Sequence, residues 1–213
     1  MSFDPIALPT LECRLRTLSH LSADPGSVFW RGIPAVALFE AIKGEAPRQA
    51  TTVRCAWDRS ELRLLFDCED DHIVATLTER DGPLYTEEVI EVFLDPVGDL
   101  EGYFEIEVNP LNAVLDLVLR RTRSGYAKDF SWQCEGLRSE VRKNAARWSV
   151  ELSIPFTSLL PEPPVHGSRW RANFCRIDRP PGRPRELSAW SPSYRDSFHT
   201  PERFGFLEFI AAE

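Results

Sequence analysis

The feature that most limits what this chain can fold into is a period of two, repeated in short runs and cut by turn residues. Over residues 103–109 the alternation is complete. Phe104, Ile106 and Val108 fall on one face, and Tyr103, Glu105, Glu107 and Asn109 on the other. Residues 51–57 alternate, Asp58-Arg-Ser60 turns the chain, and residues 62–68 follow, which predicts a hairpin. Residues 89–94 predict a strand stopped by Asp95-Pro96, and residues 113–119 a partner for 103–109 across Pro110-Leu-Asn112. A further hairpin is predicted from 137–142 and 148–154, with 143–147 as its loop. Residues 170–177, 187–190 and 206–209 complete the sheet content, and 11–18 is a strand candidate near the N-terminus. Helix is confined to a turn or two at 72–78 and 155–160. Many short strands without strand–helix alternation predict an all-β protein, a single-domain β-sandwich over residues 1–213 with little helix. The proline-rich stretches 161–164 and 180–184 are loops too short to link domains.

A net charge of −8 makes nucleic acid and anionic membrane poor partners, while neutral sugars are not repelled. The cysteines at 13, 55, 68, 134 and 175 form no C-x-x-C pair, and the four histidines are scattered, so no zinc site is expected. Their odd number fits buried free thiols better than a disulfide framework. Met1–Thr10 has neither a basic start nor a long apolar core, so no secretory signal is read, and a cytoplasmic location is expected. A chain trimmed from a precursor would instead be extracellular.

Three clusters carry chemistry. In residues 85–96, Tyr85 ends a loop, acidic residues follow and a strand begins. Ile90, Val92 and Leu94 face one way, and Glu91 faces the other with Val89 and Phe93. An aromatic face packs on the C–H patch of a pyranose, and carboxylates accept hydroxyl hydrogen bonds, so the segment suits a sugar. A solvated acidic strand entry accounts for the same spacing at least as well. Glu105, Glu107 and Asn109 are either an exposed strand face or the lining of a groove. Residues 190–205 form a long connection dense in aromatic and charged groups, either functional or a flap over the core edge. The acidic runs 67–71 and 95–99 could bind calcium, but neither matches an EF-hand loop, and solvated turns explain them.

Several motifs in order resemble carbohydrate-binding module family 9 and the broader DOMON-like group. They are Trp57-Asp58, then 62–66, then Tyr85 with 91–95, then Phe104 with Val108-Asn109, then 148–155, then Phe204-Gly205. The likeness runs from about residue 50 to 210. It implies an immunoglobulin-like or jelly-roll sandwich and a non-catalytic domain that holds a mono- or oligosaccharide, with xylan and cellulose chains as the family's ligands. Founding members clamp the terminal sugar between two tryptophans. The corresponding residues here are Tyr85 and Phe198, with Arg195 the polar loop residue three before Phe198. The family's sugar-bonding glutamate matches Glu91. An arginine that bonds the sugar in founding members corresponds to Glu107, and an amide-bearing late-strand position to Cys175, two beyond Asn173. No cofactor is implied beyond calcium, whose family sites cannot be carried over residue by residue. Competing functions are an intracellular sensory or protein-interaction sandwich that has lost the sugar, a glycoside-acting enzyme using Glu91 and Glu107, and haem binding. With Met1 the single methionine, a Met/His axial pair for haem is nearly closed off, and a bis-His pair would be the other route.

Overall fold

The computed structural model describes residues 7–17 and 20–211. The strands are β1 (Thr10–Leu15), β2 (Val36–Ala37), β3 (Phe39–Glu40), β4 (Thr51–Trp57), β5 (Glu61–Glu69), β6 (Val89–Asp95) and β7 (Gly102–Val108). They continue with β8 (Val114–Thr122), β9 (Gly125–Asp129), β10 (Arg138–Asn144), β11 (Arg147–Pro155), β12 (Arg169–Asp178), β13 (Glu186–Ala189) and β14 (Gly205–Ile210). The only α-helix among the described residues is the single turn α1 (Val28–Arg31), so the fold is nearly all β, as the alternation predicts.

The strands run in the order β10-β11-β5-β4-β1-β14-β12-β6-β7-β8-β9, with β13 beside β12. Most pairs are antiparallel, but β1 lies parallel to both β14 and β4 and stitches the two halves into one curled sheet. The main core fills the space between the halves. Phe66, Trp148 and Leu152 come from one half, and Val92, Ile106 and Phe174 from the other. Phe66 and Phe174 meet edge to face, their centroids 6.1 Å apart.

Both outer faces are also covered. On the β4–β5–β11 side, Ser27 caps α1 and Trp30 packs with Ala56 and Leu65. The Trp30 indole donates to Glu151 at 2.8 Å, and Arg63 pairs with the same carboxylate. On the β6–β7–β8–β12 side a second core forms. Val89, Phe93, Tyr103, Leu117 and Cys175 pack there beneath Leu84, Phe198 and Phe204 from loops. β6 is therefore buried along its whole length on both faces.

The expected strands and hairpins are present, with small shifts of boundary. The 143–147 loop shrinks to Ala145-Ala146. The N-terminal strand stops at Leu15, and residue 18 of its expected span lies outside the described residues. The helical turn expected over 72–78 is not there. The amides of Thr76 and Leu77 donate to the Glu87 carboxylate at 2.6 and 3.2 Å, and Val74 accepts from the Glu88 amide, which holds the segment extended. β2, β3, β9 and α1 were not expected. All five cysteines are free and buried. Among the described residues no helix is long and apolar enough to cross a membrane.

Gly205 shows how tightly the 190–205 connection closes on the sheet. A Cβ there would lie 2.6 Å from the Trp190 ring and 2.8 Å from the Pro9 carbonyl oxygen. Gly205→Ala is expected to cost about 1–3 kcal/mol in urea denaturation, the usual cost of overpacking. Gly32→Ala, where a Cβ meets nothing within 4 Å, should stay within about 0.5 kcal/mol of the parent. Equal stability of the two variants would show that the Trp190–Gly205 contact is not constrained.

Candidate functional site

The second core does not close completely. A cleft of about 190 Å³ opens over β6 and β7, and Glu91 and Glu105 line it together with Tyr85, Phe198 and His199. It is smaller than the ~300–1,000 Å³ clefts that take drug-sized ligands.

Tyr85 reaches the cleft because the 3-10 turn Leu84–Thr86 divides its residues. Leu84 is buried in the second core, and Tyr85 points out, 42% exposed. Phe198 differs. Its ring packs at 6.2 Å on Phe93 and is only 5% exposed, so it offers the cleft an edge of the second core rather than a free ring. His199 beside it meets Phe93 edge to face, and its Nδ1 lies 3.0 Å from the Tyr103 hydroxyl. Burial, and then Lys128, pull the His199 pKa down to about 4, so the ring is neutral at neutral pH.

The carboxyl groups follow from strand register. β6 and β7 place Glu91 directly opposite Glu107, and Glu105 two residues along the same face. All three are buried. Glu105 Oε2 and both Glu107 oxygens have no hydrogen-bond donor from the chain. The nearest cation is Lys128 on β9, its Nζ 3.9 Å from Glu105 Oε2. Burial, with Glu105 adding to it, holds the Glu91 pKa well above the carboxylate range. Burial and both neighbouring glutamates do the same to Glu107. Glu105 is raised by burial too, but Lys128 beside it works against the rise. Of the three, only Glu105 has a cation beside it, and Glu91 and Glu107 hold their protons to higher pH than ordinary carboxyls do. The protonated carboxyl of Glu91 offers the cleft one O–H donor and an acceptor.

The remaining residues expected in a site have other surroundings. Glu107 is fully buried beneath the cleft. Cys175 pairs with Glu91 across β12 and β6 and belongs to the second core, where burial raises its thiol pKa. The Asn109 amide donates to the Leu77 carbonyl at 2.7 Å, and its oxygen accepts from Leu111 and Ala113, closing the β7–β8 turn. Asn173 bonds Ser191 through both ends of its amide, at 2.9 and 3.0 Å, and so anchors the 190–205 connection. Arg195 is exposed and does not line the cleft, although Asp196, Ser197, Phe198 and His199 after it do. Sequence reasoning missed Lys128, Arg179, Arg185 and His199, all on the cleft wall. Lys128 lies on an unexpected strand, and Arg179 and Arg185 flank a proline-rich stretch read only as a loop.

The acidic runs considered for calcium have partners from the chain. Asp67 and Glu69 pair with Arg147. Asp95 accepts from the Gly98 and Leu100 amides. Among the described residues, Asp70, Glu88 and Asp178 bring carboxylate oxygens within 4.8 Å of one another. The cation there is already the buried guanidinium of Arg176, 2.9 Å from Asp70 and 3.4 Å from Asp178. Burial and Asp70 push Glu88 up to about 9, so it stays protonated. A further divalent ion would compete with Arg176, and the group does not fit one.

A sequence profile for the family described as "Carbohydrate family 9 binding domain-like" matches residues 26–211. No curated protein sequence matches the chain. Among solved structures it is similar to a Bacteroides uniformis ATCC 8492 protein provisionally described as carbohydrate-binding. That likeness has a TM-score of 0.77 at 18% identity, over 95% of this chain and all of that one. It is also similar to a carbohydrate-binding module of family 9 from Caldicellulosiruptor kristjanssonii. In complex with cellotriose the TM-score is 0.74 at 13% identity, over 96% of this chain and 95% of the other. With glucose it is 0.71 at 14% identity, over 96% and 97%. At these identities the likeness is one of fold.

The raised pKa of Glu107 makes stability depend on pH. The folded pKa of Glu107 lies above its ordinary value of 4.5. As pH climbs past 4.5, the unfolded chain releases a proton that the folded chain keeps, and stability falls. Glu107→Gln, which keeps the shape and does not titrate, removes this slope. Its melting temperature should match that of the parent near pH 4.5 and exceed it at pH 8–9, by about 2–4 °C for each kcal/mol relieved. Parallel melting-temperature profiles over that range would contradict the raised Glu107 pKa.

Proposed function

This chain belongs to the carbohydrate family 9 binding domain-like family, and from that premise we propose that it binds a mono- or oligosaccharide in the cleft over Glu91 and Glu105. One observation carries the reading: an exposed tyrosine and two buried carboxyl groups line the same cleft. Tyr85 supplies the apolar face on which a pyranose ring stacks. Glu91 donates to one sugar hydroxyl and accepts from another through its protonated carboxyl, and Glu105 accepts as the ionised partner. Phe198 contributes its exposed edge to the opposite side of the ring. The domain acts by binding alone. Glu107 is shut off from the cleft, so Glu91 and Glu107 do not supply an acid and a base to the two sides of a glycosidic bond.

Calorimetric titration with glucose, cellotriose and xylotriose tests this. Tyr85→Ala is expected to weaken binding by about 1 kcal/mol or more, the worth of a stacking contact. Glu91→Ala should lose about 1–3 kcal/mol. Glu91→Gln, which keeps one donor and one acceptor, should lose much less. A parent protein that binds none of these sugars, nor any other on a glycan array, would favour a sandwich that serves another protein as partner. Sugar cleavage by the parent that Glu91→Gln lacks would overturn the binding-only reading.

A further inference from the structure

Two of the three cations that line the cleft have a carboxylate beside them. Lys128 answers Glu105 at 3.9 Å, and Arg185 donates to Asp196 at 2.7 Å. Arg179, which follows directly on β12, has no such partner: no carboxylate among the described residues pairs with it. Its Nη2 donates to the Tyr85 carbonyl oxygen at 3.0 Å, so the guanidinium is tied to the turn that presents the Tyr85 ring. Its Nε is buried and bonded to nothing. Burial, and then the neighbouring Arg185, pull its pKa down, the sign of a cation set in surroundings that lack an anion. A buried N–H without an acceptor is costly, and a guanidinium is shaped to take a planar carboxylate.

Resting on the sugar reading above, we propose that the ligand of this cleft is an acidic sugar, a uronic acid, whose carboxylate is received by Arg179 while its ring stacks on Tyr85. The geometry suits one such unit. Tyr85 and Arg179 are joined through the Tyr85 carbonyl, so ring and carboxylate are met by adjacent groups. One guanidinium remains after the other pairs are counted, and one carboxylate answers it. A doubly charged phosphate would bring more charge than this residue balances. Burial makes Glu91 hold its proton to higher pH than an ordinary carboxyl, which lessens its opposition to an anionic ligand.

Calorimetric titration of the whole chain with glucuronate, glucose and glucose 6-phosphate tests the inference. Glucuronate should bind about tenfold or more tighter than glucose, the gain expected of a charge-assisted bond. The preference should shrink as salt is raised and collapse in Arg179→Gln. Because the salt series uses the parent protein, it stands even if the variant fails to fold. Equal binding of glucose and glucuronate, or a preference that survives in folded Arg179→Gln, overturns the acidic-sugar assignment and leaves the sugar reading standing. Tighter binding of glucose 6-phosphate than of glucuronate overturns the assignment to a carboxylate. Binding of none of the three, with no response to the neutral oligosaccharides either, overturns both readings together.

Discussion

Three carboxyl groups on one buried sheet face have one lysine between them, and that imbalance governs the site. Ionised together, Glu91, Glu105 and Glu107 would repel one another at the short spacings of paired strands, in surroundings that screen charge poorly. The chain resolves this by retaining protons. Burial raises the pKa of all three, Lys128 eases the ionisation of Glu105, and Glu91 forms a cleft floor that holds its proton to higher pH than an ordinary carboxyl. Everything above that floor is set by how the loops pack. Leu84 and Phe198 seal the edges of the second core, and Tyr85 and Arg179 stand over the opening.

The same strands serve two masters. Ile90, Val92 and Leu94 on β6 hold the sandwich together, and the intervening Val89, Glu91 and Phe93 build the second core and the cleft. Period-two alternation normally separates an apolar inner face from a wet outer one. Here both faces are buried, which turns the polar positions of one face into a site in place of a solvated surface. The Asn109 and Asn173 amides spend their hydrogen bonds on the loops around it. Their role is to keep the β7–β8 turn and the 190–205 connection in place, and through these the cleft wall.

Much of this was legible in the residues. The strands 51–57, 89–94 and 103–109 could be read to within a residue or two, because side-chain period and turn residues agree there. The facing of Glu91 and Glu105 followed from the same period. What could not be read was depth. Alternation separates two faces but does not say that loops will bury the second, so Glu107 and Asn109 could be exposed or enclosed on equal terms. Nor could it reveal Arg179 and Arg185. They stand at the ends of a proline-rich loop with no periodicity, and only the folded chain brings that loop over Tyr85. The helical turn expected over 72–78 failed for a related reason. The local pattern allowed it, and the Glu87 carboxylate, ten and eleven residues further along the chain, took the amides a helix would have used.

The central claim is that the cleft above Glu91 and Glu105 is where a sugar binds, and residue-resolved NMR during a glucose and cellotriose titration tests it most directly. The account predicts saturable shifts concentrated at the Tyr85 ring, at Lys128 and Arg179, and at the Ser197–His199 amides, with the main core unmoved. Saturable shifts on another surface, or none at these residues at concentrations that saturate binding measured by calorimetry, would contradict it.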